Sequence, residues 1–223
     1  MKKENYSKIF MILCALNITC LLMSNIITIK TINIVGLVFT AGDMLFPITY
    51  ILNDVFTEVY GYNKSRFVIW ISFFCNLLMI IVFQITIALP SSEAFEFQSD
   101  LENILGNTPR VLLASFISFL VGNFSNAIAL SKIKVKTNGK YLALRTIVST
   151  LIGEGLDTLI FVPIVFLGIL DIKTMLFLMF DMYILKVLIE VVFTPITYKV
   201  VGFVKKKENI DTFDNEVKYK IFG

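Results

Sequence analysis

Histidine is absent from this sequence, and cysteine occurs only three times, at Cys14, Cys20 and Cys75. Without histidine the chain lacks the commonest zinc ligand and the side chain that usually titrates near neutral pH. The cysteines lie in apolar segments and show no CxxC spacing, so we predict neither a disulfide nor a metal site. Any proton chemistry in this protein must therefore use carboxyl groups.

Motifs for phosphate binding and for nucleophilic hydrolysis are missing as well. The sequence contains no Walker A motif and no nucleophile elbow, which argues against hydrolysis of ATP or of another substrate by this chain. We expect no cofactor, and we expect transport energy to come from a gradient or from trapping of the product.

Charged residues are also scarce. They make up 17% of the 223 residues, whereas 57% are hydrophobic, and the mean hydropathy is +0.80. Soluble domains are typically about 25% charged, and a membrane-crossing helix needs about 20 mostly apolar residues. The composition therefore predicts a polytopic α-helical membrane protein with no room for a soluble domain.

Six apolar stretches predict six transmembrane helices. The first is too long for a signal peptide and lacks a small-residue cleavage site, so we interpret it as a membrane helix. We expect one transmembrane domain over residues 1–207 and a polar cytoplasmic tail over 208–223. The apolar stretches lie near residues 8–29, 43–60, 67–89, 111–131, 146–170 and 174–203.

The segment 28–40, between the first two stretches, has a different character. It is rich in β-branched residues and contains Gly36, a composition typical of a strand pair rather than a helix. We predict a short hairpin or a re-entrant element there.

The positions of the lysines and arginines predict the orientation in the bilayer. With the N-terminus inside, only Lys30, Arg110 and Lys173 of the 20 Lys and Arg residues fall outside, and Lys186 lies within the membrane. By the positive-inside rule both termini are cytoplasmic. The basic runs of the inner loops then need no nucleic-acid partner.

Ionisable residues inside the apolar helices are the strongest functional signal, because a charge within a bilayer is costly. Several are spaced three or four residues apart, which places both members on one helix face. The sequence therefore predicts that three helices direct their charged side chains toward one another. The pairs are Asp54 with Glu58, Glu154 with Asp157, and Lys186 with Glu190, and Asp43 and Asp181 complete the set.

Some of these residues also have structural interpretations. Lys186 and Glu190 are expected to form an ion pair along their own helix. Glu58, close before Gly61, could lie at the inner interface in contact with water. Asp157 has no cation on its own segment, so it needs a partner from elsewhere. The acidic surplus over Lys186 means that some carboxyl groups are protonated, bind a cation or accept donors from a ligand.

One enzymatic motif is an alternative. The run GEGLD at 153–157 is similar to the GxGD motif of intramembrane aspartyl proteases, but the spacing differs by one residue. Asp181 also lacks the preceding tyrosine that those proteases use. An intramembrane enzyme is therefore the remote alternative.

Three blocks carry a resemblance to a known family. They are FPITYILNDVFTEVYG at 46–61, STLIGEGLDTLIF at 149–161 and DMYILKVLIEVVFTPITY at 181–198. In this order, each with its intramembrane charges, they closely resemble the queuosine precursor transporter family, and the resemblance spans nearly the whole chain.

The resemblance implies a six-helix protein of the bacterial inner membrane that imports 7-deazaguanine precursors of queuosine, such as the 7-cyano and 7-aminomethyl forms or queuine. It implies a fold like that of the substrate-binding components of vitamin uptake systems. An alternative is therefore a binding subunit that docks onto a separate energising complex. A homodimer also remains open.

The resemblance also implies which residues bind the substrate. Asp54, Glu58, Asp157, Lys186 and Glu190 match charged positions of the family's motifs. We list Glu154 with them, although its position varies among members, and we add Asp181. Four aromatic residues near these acids could stack on a flat base, although helix packing is the commoner use of such residues. They are Phe46, Tyr50, Phe161 and Tyr183.

Overall fold

The computed structural model describes residues 6–34, 37–106 and 109–222 and consists almost entirely of helices. One two-stranded hairpin and a short 3-10 helix, Ala41–Leu45, interrupt them near the N-terminus. The other elements are α1 Lys8–Ile27, β1 Thr31–Ile34, β2 Leu37–Thr40, α2 Phe46–Tyr60, α3 Tyr62–Ala88, α4 Gln98–Leu105, α5 Pro109–Lys136, α6 Leu142–Phe166 and α7 Ile172–Glu208.

Each of the six predicted helices is present, as α1, α2, α3, α5, α6 and α7. Their boundaries shift by several residues, and α7 is longest, with 37 residues. The additional helix α4 has only eight residues and lies in the loop predicted between the third and fourth helices. It was missed because its residues are mostly polar and show no apolar run.

The hairpin between α1 and α2 confirms the predicted strand pair. Its antiparallel register places Thr31 opposite Thr40 and Ile34 opposite Leu37. The turn into the 3-10 helix is held by Asp43, whose carboxylate accepts a hydrogen bond from the Thr40 amide at 2.8 Å. Asp43 thus serves as a local cap.

By length and composition, four parts of the described chain could cross a membrane: Lys8–Ile27, Tyr62–Ala88, a span within Gln98–Lys136 and Leu142–Phe166. Helix α2 has 15 residues, about 22 Å at 1.5 Å per residue, which is short for a hydrocarbon layer of about 30 Å. Helix α7 is long enough but carries several charges. The architecture is that of an α-helical membrane protein, whereas six crossings and the N-in/C-in orientation stay predictions.

Helix α2 lies in the core of the protein. Val55 and Val59 are fully buried, and Phe56 is 1% exposed. They belong to one apolar cluster with Phe10 of α1 and Val201 of α7. Because α2 is surrounded by other helices, its acidic side chains contact protein rather than solvent or lipid.

Helices α5 and α6 pack closely through two glycines. A Cβ atom at Gly153 would lie 2.7 Å from Asn126 Cβ and 2.9 Å from the Gly122 carbonyl oxygen. A Cβ atom at Gly122 would lie 3.0 Å from Asp157 Cβ. This close crossing positions the face of α6 that carries its two acids.

The C-terminal tail packs against the ends of the helices. The Thr212 amide donates to the Val59 carbonyl at 3.1 Å, and Asp214, 8% exposed, accepts from the Tyr62 amide at 2.9 Å. Farther along, Trp70 Nε1 donates to the Ile221 carbonyl at 2.9 Å. The polarity of residues 208–223 gives no indication of this packing, because backbone contacts of this kind leave no pattern in a sequence.

Candidate functional site

Lys186 of α7 is the centre of the first group of charges. Its Nζ lies 2.5 Å from Asp157 Oδ2 and 2.9 Å from Glu154 Oε2, both on α6. The three side chains are between 11% and 22% exposed. This site, which we call the Lys186 cluster, is therefore mostly but not completely buried.

The predicted ion pair between Lys186 and Glu190 is wrong. Within the described chain, Lys186 forms salt bridges with the acids of α6 and not with Glu190. The shared helix face is real, but the neighbouring helix presents two carboxylates to Lys186, whereas its own helix presents one. The cation that Asp157 was predicted to need is Lys186.

Aromatic residues border the Lys186 cluster. The Tyr50 hydroxyl lies within hydrogen-bonding reach of Glu154, and the Tyr50 ring stacks on Phe46 with centroids 5.8 Å apart. The Tyr183 hydroxyl donates to the Leu151 carbonyl at 3.2 Å. The structure thus brings Phe46, Tyr50 and Tyr183 close to the charges of α6.

Asp54 of α2 and Glu190 of α7 form a second group. Each residue is 1% exposed, and the two carboxyl groups lie within hydrogen-bonding reach of each other. Thr146 of α6 also lies within reach of Glu190. We call Asp54 and Glu190 the carboxyl pair.

Glu58 is the centre of a third group, the Glu58 cluster. Arg145 of α6 binds its carboxylate in a bidentate manner, at 2.8 and 2.7 Å. Lys205 of α7 lies 2.7 Å from the same carboxylate, and Lys134 of α5 lies 3.5 Å from it. Glu58 is fully buried, so the alternative that it contacts water at the interface is wrong.

Asp211 of the tail completes the Glu58 cluster by ion pairs with Lys134 and Lys205. Partial burial disfavours the ionised form of Asp211, but hydrogen bonds from Lys134 and Lys205 outweigh it and hold the pKa of this carboxyl below its usual range. The cluster joins α2, α5, α6, α7 and the tail, so its geometry favours a structural role for Glu58.

Sequence reasoning missed three basic residues of this cluster. Arg145, Lys134 and Lys205 were assigned to inner loops, yet Arg145 and Lys134 are each 2% exposed. They lie within one turn of a helix end, where an interfacial position is the ordinary interpretation. Glu58 could have indicated these basic residues, because a buried carboxylate requires cations as partners.

Asp181 is not brought into these groups. Its side chain is exposed, and none of the side-chain hydrogen bonds or ion pairs found in the described ranges involves it.

The remaining predicted charges form three levels along the bundle. On α2, Tyr50, Asp54 and Glu58 follow at intervals of four residues, about 6 Å per interval.

The chain matches a family model over residues 40–200, and that family is described as "Putative vitamin uptake transporter". The matched range contains every residue predicted for the site. The chain belongs to this family. A protein of the vitamin uptake transporter family is a transporter and not an enzyme, as predicted, and the intramembrane enzyme is thereby discarded.

A relative in Bacillus subtilis (strain 168), named "Probable queuosine precursor transporter", is 28% identical over 176 residues. The alignment covers 78% of this chain and 77% of the relative. No solved structure matches the chain. Together with its apolar helices, the family establishes this member of the vitamin uptake transporter family as a multi-pass membrane transporter.

Proposed function

We propose that this protein imports 7-deazaguanine precursors of queuosine across a bacterial cytoplasmic membrane. The name of the Bacillus subtilis relative supports the substrate. The observation that carries the proposal is the pairing of Glu154 and Asp157 around Lys186, with Tyr50 in reach. These residues offer two carboxylates, one cation and an aromatic face within one partly accessible site.

The chemistry of this site fits a guanine-like base. Such a base presents a ring N–H and an exocyclic amino group side by side, and a carboxylate accepts both in a bidentate manner. We assign that role to Asp157. A cationic 7-aminomethyl arm would add a charge that Glu154 neutralises, whereas Tyr50 and Phe46 supply a surface for the flat ring.

The proposed transporter has six membrane crossings in residues 1–207, with both termini and the tail 208–223 in the cytoplasm. The Lys186 cluster joins α6 to α7, and the carboxyl pair joins α7 to α2. Relative movement of α6 and α7 would open the cluster to one side or the other, which is the alternating access that transporters of this kind use.

A complementation experiment tests this proposal. Cells that lack their own importer and their own precursor synthesis are supplied with the 7-cyano base, the 7-aminomethyl base or queuine, and queuosine is measured in their tRNA. The wild type and the loop variant Glu93→Gln should restore queuosine, whereas Lys186→Met should not at equal membrane abundance. Absence of queuosine with all three bases would reject the substrate assignment.

The same cells test whether the protein acts as a binding subunit of a larger transporter. Purification in mild detergent should yield this chain by itself or as a homodimer. If restoration of queuosine instead requires an energising protein that copurifies with this chain, the result would support the alternative that the chain is a binding subunit.

A further inference from the structure

The carboxyl pair holds two buried acids together, and among the described residues no cation forms an ion pair with either of them. Asp54 and Glu190 lie on different helices, and each is 1% exposed. Asp54 Oδ2 and Glu190 Oε1 have no hydrogen-bond donor among the described residues, although the two carboxyl groups are within reach of each other. An ionised carboxylate can only accept hydrogen bonds, so the contact is favourable only when one of the two groups carries a proton.

The charges that face the pair do not neutralise it. The other charged groups that interact with the pair are Glu58 and Arg145, which act on Asp54, and Glu154, which acts on Glu190. The Arg145 guanidinium already donates two hydrogen bonds to Glu58, and Lys186 already forms ion pairs with Glu154 and Asp157. Two negative charges in contact at this depth would repel each other in a medium of low dielectric constant.

We propose that Asp54 and Glu190 share one exchangeable proton, and that this pair is the proton-binding site through which uptake is coupled to a proton gradient. The proton is bound and released unchanged, so no bond other than O–H forms or breaks. The coupling part of this inference rests on the proposed transport function, whereas the proton site itself does not.

The position of the pair supplies a mechanism for the coupling. Glu190 lies one helical turn from Lys186, and Asp54 lies one turn from Tyr50, whose hydroxyl is within hydrogen-bonding reach of Glu154. While the pair holds its proton it is singly charged, and Lys186 remains on the acids of α6. Loss of the proton adds a negative charge near Lys186, which weakens its attachment to α6, disassembles the Lys186 cluster and releases a bound ligand. Proton occupancy therefore stabilises the α6–α7 contact on which ligand binding depends.

Infrared spectroscopy tests the proton site without any ligand. Purified wild-type protein at neutral pH should show the C=O stretching band of a protonated carboxyl group, and the band should shift when side-chain carboxyls of aspartate or of glutamate carry ¹³C. Asp54→Asn and Glu190→Gln should each remove it, whereas Glu93→Gln in an exposed loop should keep it. No such band in the wild type, or a band that persists in both pair variants, would overturn the proposal. Because the labelling experiment uses wild-type protein, a folding defect in a variant cannot obscure the answer.

Proteoliposomes test the coupling. Uptake of labelled queuine should be accelerated at least several-fold by an acidic exterior and should acidify an internal pH dye, and Glu190→Gln should abolish the acidification. Queuine uptake that ignores the pH gradient would overturn the coupling and leave the proposed function standing. No uptake of queuine or of the two smaller bases would reject the proposed function, and with it the coupling, whereas the infrared result would still decide the proton site.

Discussion

At the scale of single residues, the most informative contact is that of Lys186 with Glu154 and Asp157. It turns two acids of α6 and one cation of α7 into a single site, and it withdraws Lys186 from Glu190. The sequence pattern identified all four residues as candidates. It did not identify the partners, because residues four apart on one helix and residues on adjacent helices compete for the same cation.

Asp157→Asn tests the substrate contact. The amide keeps the shape but replaces one acceptor oxygen by a donor, which would then face the donors of a guanine-like edge. Affinity for a 7-deazaguanine precursor should fall by roughly 30-fold to 1000-fold, or about 2 to 4 kcal/mol. Calorimetric binding measures the loss, and thermal melting checks the fold. Equal affinity in a folded mutant would remove Asp157 from the site.

Lys186→Met tests the ion pairs that stabilise the fold. The mutation leaves two buried carboxylates without their cation, and breaking a buried pair in this way typically costs about 3 to 5 kcal/mol. Adding Glu154→Gln and Asp157→Asn should restore part of the thermal stability. The matched control, Lys186→Met with Glu190→Gln, should restore none. Recovery in the control instead would show that the ion pair lies along α7.

At the scale of elements, the crossing of α5 and α6 determines where the acids of α6 lie. Gly122 and Gly153 permit a separation that side chains would prevent. The crossing also explains why a glycine precedes Glu154: it leaves the backbone of α6 near α5, while the acids point toward α7.

Gly153→Ala tests this crossing, with Gly155→Ala as the matched control. The new Cβ at Gly153 would lie 2.7 Å from Asn126 Cβ, whereas at Gly155 its nearest neighbour would be Tyr183 Cε2 at 3.5 Å, an ordinary contact. Overpacking typically lowers the free energy of unfolding by about 1 to 3 kcal/mol. Replacement of glycine by alanine raises helix propensity equally in the two variants. Thermal melting should therefore show destabilisation by Gly153→Ala only. Equal melting temperatures of the two variants would mean that α5 and α6 move apart to accommodate the new Cβ atom without a measurable loss of stability.

At the scale of the whole molecule, the Glu58 cluster and the tail join the same ends of the helices. Lys134 contacts the Glu58 carbonyl at 2.5 Å and the Thr212 carbonyl at 2.7 Å. One buried acid and a short stretch of tail thus connect α2, α5, α6 and α7. The predicted excess of positive charge at this end agrees with a cytoplasmic position by the positive-inside rule.

Reporter fusions test the orientation. A reporter after Gly223 and one inserted at the turn of residues 138–139 should both be cytoplasmic, and one inserted at 93–94 should be external. The turn is chosen because it lies outside α5 and α6, so the buried basic residues keep their contacts. An external C-terminal reporter would overturn the N-in/C-in topology, and equal readings at 93–94 and at 138–139 would change the number of crossings.

The sequence by itself determined the class of the protein, its six predicted helices and the hairpin between the first two, and it named the residues that we propose for the site. These are local properties, because the length of an apolar run, the spacing of charges and the β-branched composition of 28–40 are all read within one segment. Family motifs within those segments support the kind of substrate that we propose.

Only the tertiary structure decided which charges meet. Lys186 and Asp157 are 29 residues apart, and Arg145 and Glu58 are 87 residues apart. Their pairing depends on which helices are neighbours and on how each helix is rotated about its axis. Neither property can be read from the sequence of a single segment. The contact of Asp54 with Glu190, the burial of Arg145 and Lys134, and the packing of the tail are decided in the same way, because each is a property of the space between helices.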